Sequence, residues 1–305
     1  MSTTVPTAPL HHHEVPEGAP AERLDRYASR AAGFFASTAQ AHRAAKKGDL
    51  RLNDEVVSPD WRVKPGDVLS VAALHGAPRR VYELPLAVVF EDGHLAVVEK
   101  PAGVLVNGNR HRTVERALPF NLTPSDQPDA LTLPRPVHRL DVPTAGLLLV
   151  AKTSAAAADL GRQLAERQVQ KRYRAVVEGI LEGEGRVDSP LDGRSAATRY
   201  AVVCNTRAVR SDWVTTVDLW PETGRTHQLR RHMAELGHPI LGDATYGVEG
   251  AVLRRSGLFL RAVALRFAHP HTGAVVDLSI PEPPRFESYR RREALRWARL
   301  TAGPA

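Results

Sequence analysis

Residues 146–151, Gly-Leu-Leu-Leu-Val-Ala, form an apolar run with no polar break. The run is too short for a typical globular helix and is consistent with a buried strand. A strand of that kind needs paired neighbours and covering layers, which commits the chain to a sheet inside a real core. At 305 residues the chain is long enough for one large domain or two smaller ones.

Other patterns supply partners for that strand. Leu86–Phe90 and Leu95–Glu99 read as strands separated by the turn signal Glu91-Asp92-Gly93-His94. From Lys171 to Glu178 the residues alternate, with Tyr173, Ala175 and Val177 on one face. Ser154 is a candidate cap for a helix through Ala157, Leu160 and Leu164, and Thr226 for a helix over 227–236 ended by Gly237. Residues 107–135 are polar and Pro-rich and read as a loop or a short helix. Short strands with few helices, and no repeated strand–helix unit, predict an α+β domain with a mainly antiparallel mixed sheet and flanking helices.

A smaller unit precedes it. A helix opens at Arg23–Tyr27, and a second one capped by Ser37 or Thr38 carries Ala41, Ala44 and Ala45 before Gly48 stops it. Short strands are expected at Asp49–Asn53, Glu55–Val57 and Asp67–Val71. From Arg23 to Arg80 there are 11 Lys+Arg against 6 Asp+Glu, an excess that suggests a polyanion partner. The helix pair, with Lys46-Lys47-Gly48-Asp49, Leu50-Arg51-Leu52-Asn53 and Val63-Lys64-Pro65-Gly66-Asp67, resembles an S4 RNA-binding domain. That resemblance implies RNA contacts by Arg43, Lys46, Lys47 and Arg51, each of which taken alone reads as a solvated surface charge. The expected division is a disordered leader over 1–20, this small α/β S4-like domain over 21–75, a linker over 76–84, a catalytic domain over 85–290 and a tail over 291–305. His11-His12-His13 falls in the leader and reads as incidental.

Composition excludes several classes. No stretch approaches the ~20 apolar residues of a membrane span. The N-terminus lacks the basic, apolar and small-residue layout of a secretion signal, so the cytoplasm is the expected location. A single cysteine, Cys204, rules out an intrachain disulfide framework or a multi-thiolate metal site.

Three polar runs interrupt the apolar patterns. They are Val137-His138-Arg139-Leu140-Asp141-Val142-Pro143-Thr144-Ala145-Gly146, Lys171-Arg172-Tyr173, and Gly224-Arg225-Thr226-His227-Gln228-Leu229-Arg230. With Lys100-Pro101-Ala102-Gly103, His238-Pro239-Ile240-Leu241-Gly242-Asp243 and the stretch from Phe267 to Pro281, they resemble the RluA family of RNA pseudouridine synthases over roughly residues 85–287. Position 145 is Ala where that family usually has Ser.

The resemblance implies an isomerase that acts on a uridine of structured ribosomal or transfer RNA and needs no cofactor and no metal. It maps the family's essential aspartate onto Asp141, its partner arginine onto Arg230 and its active-site tyrosine onto Tyr173. A carboxylate can attack a sugar carbon or stabilise positive charge developing there. A nearby cation would keep such a carboxylate ionised against burial. Arg225 is the rival for that cation; a phosphate contact is the other use for it. Tyr173 can stack on a base or assist a proton transfer, and reads otherwise as a core tyrosine. Arg139 is the candidate to fill the space a flipped base leaves. His138 flanks the site either as an RNA contact or as a structural hydrogen-bonding residue. A monomer with no membrane association and no obligate protein partner is expected. The competing function is an RNA-binding or ribosome-assembly factor that does not depend on turnover. A glycosidase-like hydrolase is disfavoured, since no run supplies an obvious second acid.

Overall fold

The computed structural model describes residues 10–30, 35, 37–72, 81–247 and 257–302. The chain divides into two compact units, residues 1–79 and 80–305.

In the first unit β1 (Leu10–Glu14) leads to α1 (Leu24–Arg30), α2 (Thr38–Lys47), β2 (Leu50–Leu52) and β3 (Val68–Ala72). The strands form an antiparallel sheet in the order β1-β3-β2. Ser37 caps α2 by accepting the Gln40 N–H, and Gly48 ends it in the left-handed conformation at φ 78°. Leu24, Tyr27, Ala41, Ala45, Leu50 and Leu69 close a small core between helices and sheet.

Two departures appear here. The expected leader is not without structure, because Leu10–Glu14 pairs along its whole length with β3. Backbone hydrogen bonds to an open strand edge hold it, a signal that side-chain patterning does not carry. His13 is part of that strand and bonds the Tyr27 hydroxyl through Nε2. The expected strand Glu55–Val57 reduces to a single bridge between Leu52 and Glu55, because left-handed Asn53 and Asp54 reverse the chain at once. Residues 1–9 of the leader, 73–80 across the domain boundary and linker, and 303–305 of the tail lie outside the described residues.

The second unit runs β4 (Val88–Glu91), β5 (Leu95–Lys100), α3 (Val114–Asn121), β6 (Ala130–Pro136), β7 (Ala145–Thr153), α4 (Ser154–Ala165) and β8 (Gln170–Glu178). It continues through β9 (Glu184–Val187), β10 (Thr198–Ala208), β11 (Asp212–Pro221), α5 (Gln228–Glu235), β12 (Leu260–Ala268), β13 (Val275–Ser279) and α6 (Pro284–Thr301). Among the described residues ten strands form one sheet. Its main path is β4-β5-β7-β12-β8-β11-β10-β9, with β6 on β7 and β13 on β12. Every pair is antiparallel except β7 with β12.

The apolar run is β7, near the middle of this sheet. Leu148 and Val150 face one core with Val98, Ala175, Val217 and Met233. Leu147 and Leu149 face another with Leu95, Val97, Leu160 and Phe267. Burial on both faces explains why the run has no polar break. At its start Gly146 has φ 117°, and a Cβ there would collide with the Ala262 carbonyl, so only glycine lets β7 and β12 approach.

Local details differ from expectation. Thr153, one residue before Ser154, caps α4 by accepting the Ala156 N–H. Thr226 does not cap α5; that place is taken by His227 in a left-handed conformation, φ 55°, with no side-chain cap bond. The polar stretch expected as a loop or a short helix holds the short helix α3 and also a strand, β6, that was not expected. Pro-rich composition hid a strand that lies at the side of β7, its one paired neighbour among the described residues. The expected tail belongs to α6, which continues to Thr301 and buries Phe286, Tyr289 and Glu293. No helix among the described residues is long and apolar enough to cross a membrane.

Candidate active site

Four strands adjacent in the sheet, β7, β12, β8 and β11, bring the conspicuous sequence runs to one place. The first run precedes β7. Val137 and His138 lie alongside that strand: the Val137 N–H donates to the Leu149 carbonyl, and the Leu149 N–H donates to His138 Nε2 at 3.1 Å. The chain then turns, with the Thr144 N–H donating to the Asp141 carbonyl. Leu140 anchors the turn in the core while Asp141 stays 18 % exposed, open enough for a ligand to reach its carboxylate.

The other side of the turn is pinned at Val142. Its carbonyl accepts from the Gly103 N–H at 2.7 Å and from the Lys100 ammonium at 3.2 Å. The Lys100 side chain is fully buried and also donates to the Pro101 carbonyl. Burial lowers its pKa to about 8, an effect opposed by the charge of Asp141. The Lys-Pro-Ala-Gly run therefore clamps the loop that presents Asp141.

Tyr173, from β8, is buried in the same pocket wall. Desolvation raises its pKa, and the charge of Asp141 raises it further, so the group stays a phenol at neutral pH. The chemistry available there is that of a phenol, not a phenolate.

Arg230 enters from the first turn of α5. Its Nη1 lies 3.7 Å from Asp141 Oδ2, whereas its strongest partner is Asp243: Nε to Oδ2 is 2.7 Å and Nη2 to Oδ1 is 2.8 Å. Burial would raise the Asp243 pKa. The Arg230 guanidinium and the Thr245 and Tyr246 amides outweigh that and hold it below the usual carboxylate range. Arg230 is itself buried, with Asp243 keeping it charged. Its guanidinium also sits 5.0 Å from the Tyr246 ring centroid. Arg225 makes no such pair among the described residues; its Nε donates to the Ser195 carbonyl. The geometry thus separates two arginines that the sequence left as rivals.

His227 has its Nε2 3.9 Å from Asp141 Oδ1 and its Nδ1 hydrogen-bonded to the Tyr246 hydroxyl at 3.0 Å. Gln228 closes the preceding loop. It accepts from the Thr223 hydroxyl and the Arg225 N–H, and donates to the Ala197 carbonyl on the approach to β10. One buried hydroxyl of the wall, Thr144 Oγ1, meets no hydrogen-bond partner among the described residues.

The remaining candidates divide. Arg139 lines the pocket and is exposed, with no ion pair among the described residues. His138 turns to the sheet instead. Burial, and then the charge of Lys171, lowers its pKa to about 3, so it is a neutral acceptor committed to the β7 backbone. Arg43, Lys46 and Lys47 share one exposed face of α2, and Arg51 is exposed on β2, all in the first unit. Asp243, His227, Tyr246 and Lys100 had no role assigned from sequence. Asp243 and Lys100 stood in conspicuous runs, but only their burial against named partners reveals what they do. Among the described residues no group of three or more His, Cys, Asp or Glu is placed to hold a metal ion.

A family model described as RNA pseudouridylate synthase matches residues 94–235, and one for the S4 domain matches residues 22–69. Ribosomal large subunit pseudouridine synthase D of Nitrosomonas europaea is 41% identical over 222 residues, 66% of this chain and 63% of that protein. The synthase of the same name from Xanthomonas campestris pv. campestris is 34% identical over 332 residues, 95% of this chain and 96% of that one. The structure of human RNA Pseudouridylate Synthase Domain Containing 1 is similar at a TM-score of 0.56 and 30% identity, over 67% of this chain and 86% of that one.

Proposed function

The chain belongs to the RNA pseudouridylate synthase family, in the RluA-like branch with an N-terminal S4 domain, and on that premise we propose that it isomerises specific uridines of large-subunit ribosomal RNA through Asp141. What carries the reading is the convergence of Asp141, Tyr173 and Arg230, from three separate runs, on one pocket.

The reaction breaks the N1–C1′ bond, turns the uracil and joins C5 to C1′; C5 loses a proton and N1 gains one. No redox step and no hydrolysis is needed. Asp141 supplies an anionic oxygen where positive charge develops at the sugar. Arg230 Nη1 lies 3.7 Å from that carboxylate, yet its hydrogen bonds go to Asp243, so the Asp141 carboxylate is not locked in a tight pair. Tyr173 covers the base and retains a proton to donate. Arg139, exposed at the rim, is the side chain to occupy the space the base vacates.

The test is direct. Unmodified ribosomal RNA carrying tritium at uridine C5 is incubated with the purified protein, and tritium is released to water as the C5 proton leaves. Absence of release from any ribosomal or transfer RNA would sink the proposal.

The S4 unit carries a second expectation. Binding to ribosomal RNA weakens steeply between about 50 and 200 mM salt as phosphate contacts release counterions. Replacing Arg43, Lys46 and Lys47 together by Ala makes the log–log slope shallower by roughly 2 to 3, about one per contact. The single-turnover rate at saturating RNA stays unchanged. Filter binding across a salt series measures this, and an unaltered slope in the triple variant removes that face from the RNA interface.

A further inference from the structure

The Asp141 pocket shares a wall with a second, larger groove: Lys171, Pro221, Thr223, Gly224 and Arg225 line both. The groove adds Arg167, Arg199 and Trp220, and Glu222 is its one carboxylate among the lining residues. That carboxylate is already engaged by Arg186 at 2.9 Å and Arg199 at 3.2 Å. Trp220 is half-buried on β11, directly across from Arg199 on β10, whose guanidinium lies 5.6 Å from the indole centroid. An indole and a guanidinium are the two kinds of side-chain plane on which nucleobases stack.

Lys171 is the unusual residue. It is half-buried on β8 and its ammonium has no hydrogen bond or ion pair among the described residues, while Arg172 beside it pairs with Asp218. A desolvated ammonium without an anion is costly, and a ligand anion is the natural compensation. Its place on the wall common to pocket and groove says where that anion belongs.

We infer that the groove binds the nucleotide adjacent to the target uridine on the same strand, with Lys171 meeting the phosphodiester between the two and Trp220 stacking on the neighbouring base. This rests on the reading that the Asp141 pocket takes a uridine of RNA. A base drawn out of a helix brings its backbone with it, and the linking phosphate must lie at the boundary between its own site and its neighbour's. The groove gives that boundary a cation and gives the next base a surface. Because every base has a π face, stacking here tolerates sequence, and it turns one-nucleotide recognition into recognition of a short single strand.

The test uses the full chain and two probes, uridine 3′,5′-bisphosphate and the trinucleotide UpUpU, followed by calorimetry. The bisphosphate carries both phosphates of the target nucleotide but no neighbour. UpUpU is expected to bind on the order of 10-fold tighter, about 1.4 kcal/mol. Trp220→Ala should erase that advantage and leave bisphosphate binding unchanged, and Trp220→Phe should keep it. Lys171→Met should weaken both probes about 10-fold, the loss of one charge-assisted contact, and Lys171→Arg should largely restore them. The groove assignment is overturned if UpUpU binds no tighter than the bisphosphate, if Trp220→Ala keeps the advantage, or if Lys171→Met affects neither probe. Tritium release by the wild type, run in parallel, separates the two claims. Release without a trinucleotide advantage overturns the groove alone; no release overturns the parent reading.

Discussion

Replacing Asp141 by Asn is expected to lower single-turnover tritium release by on the order of 10⁴-fold or more, the scale on which enzymes lose rate when a group bonding to the reacting centre is removed. The substitution keeps shape and removes charge. It should not unfold the protein, because Asp141 is 18 % exposed and stands 3.7 Å from Arg230, whose bidentate partner is Asp243. Thermal unfolding should therefore shift by no more than a few degrees, and RNA affinity should stay within about threefold, the scale of one solvent-accessible contact. Residual turnover above roughly one part in a hundred would show that another group performs the chemistry. Full rescue of a deletion strain by the Asp141→Asn protein would instead make RNA binding the physiological role.

The second large effect concerns stability. Asp243→Ala leaves the Arg230 guanidinium buried without its main partner. Breaking a buried pair from one side costs about 3–5 kcal/mol, which in a unit of this size lowers the melting temperature by roughly 10 °C. Turnover by the protein that remains folded should fall as well, because the guanidinium is freed to close on Asp141 and lock it. The double variant Arg230→Met with Asp243→Leu separates these effects. Two packed apolar groups replace a buried pair at little cost, so stability should return to within about 2 kcal/mol of wild type while activity stays lost. Denaturant unfolding of the three proteins measures this, and an Asp243→Ala protein as stable as wild type would contradict it.

The same pair sets an acid limit. Asp243 has a folded pKa below its ordinary 3.8, so its stabilisation is complete above that value and is lost as pH falls through the lowered folded one.

Much of this was legible in the sequence because the signals were local. The run at 146–151 demanded a strand buried on both sides, and β7 has both faces covered. Ala41, Ala44 and Ala45 with Gly48 outlined α2 and narrowed its cap to Ser37 or Thr38, of which Ser37 takes the place. Other elements were hidden for physical reasons. β1 is held by backbone pairing to β3, and β6 is a Pro-containing strand paired with β7 alone; neither needs an apolar pattern. The cap of α5 was misplaced because a left-handed histidine has no sequence signature of its own.

The site divides in the same way. Asp141, Tyr173 and Arg230 stood in runs whose composition and order marked them, and resemblance gave them roles. What the sequence by itself determined was the set of chemical groups, the segments that carry them and the family. Only the tertiary structure decided which groups meet: Arg230 with Asp243 more tightly than with Asp141, Lys100 with the carbonyl beside Asp141, His138 with the β7 backbone, Lys171 with no anion among the described residues. Those pairings depend on strand order, since β7, β12, β8 and β11 lie side by side although their segments are far apart in the chain. Local periodicity encodes which face of an element is buried, but not which element lies next to it.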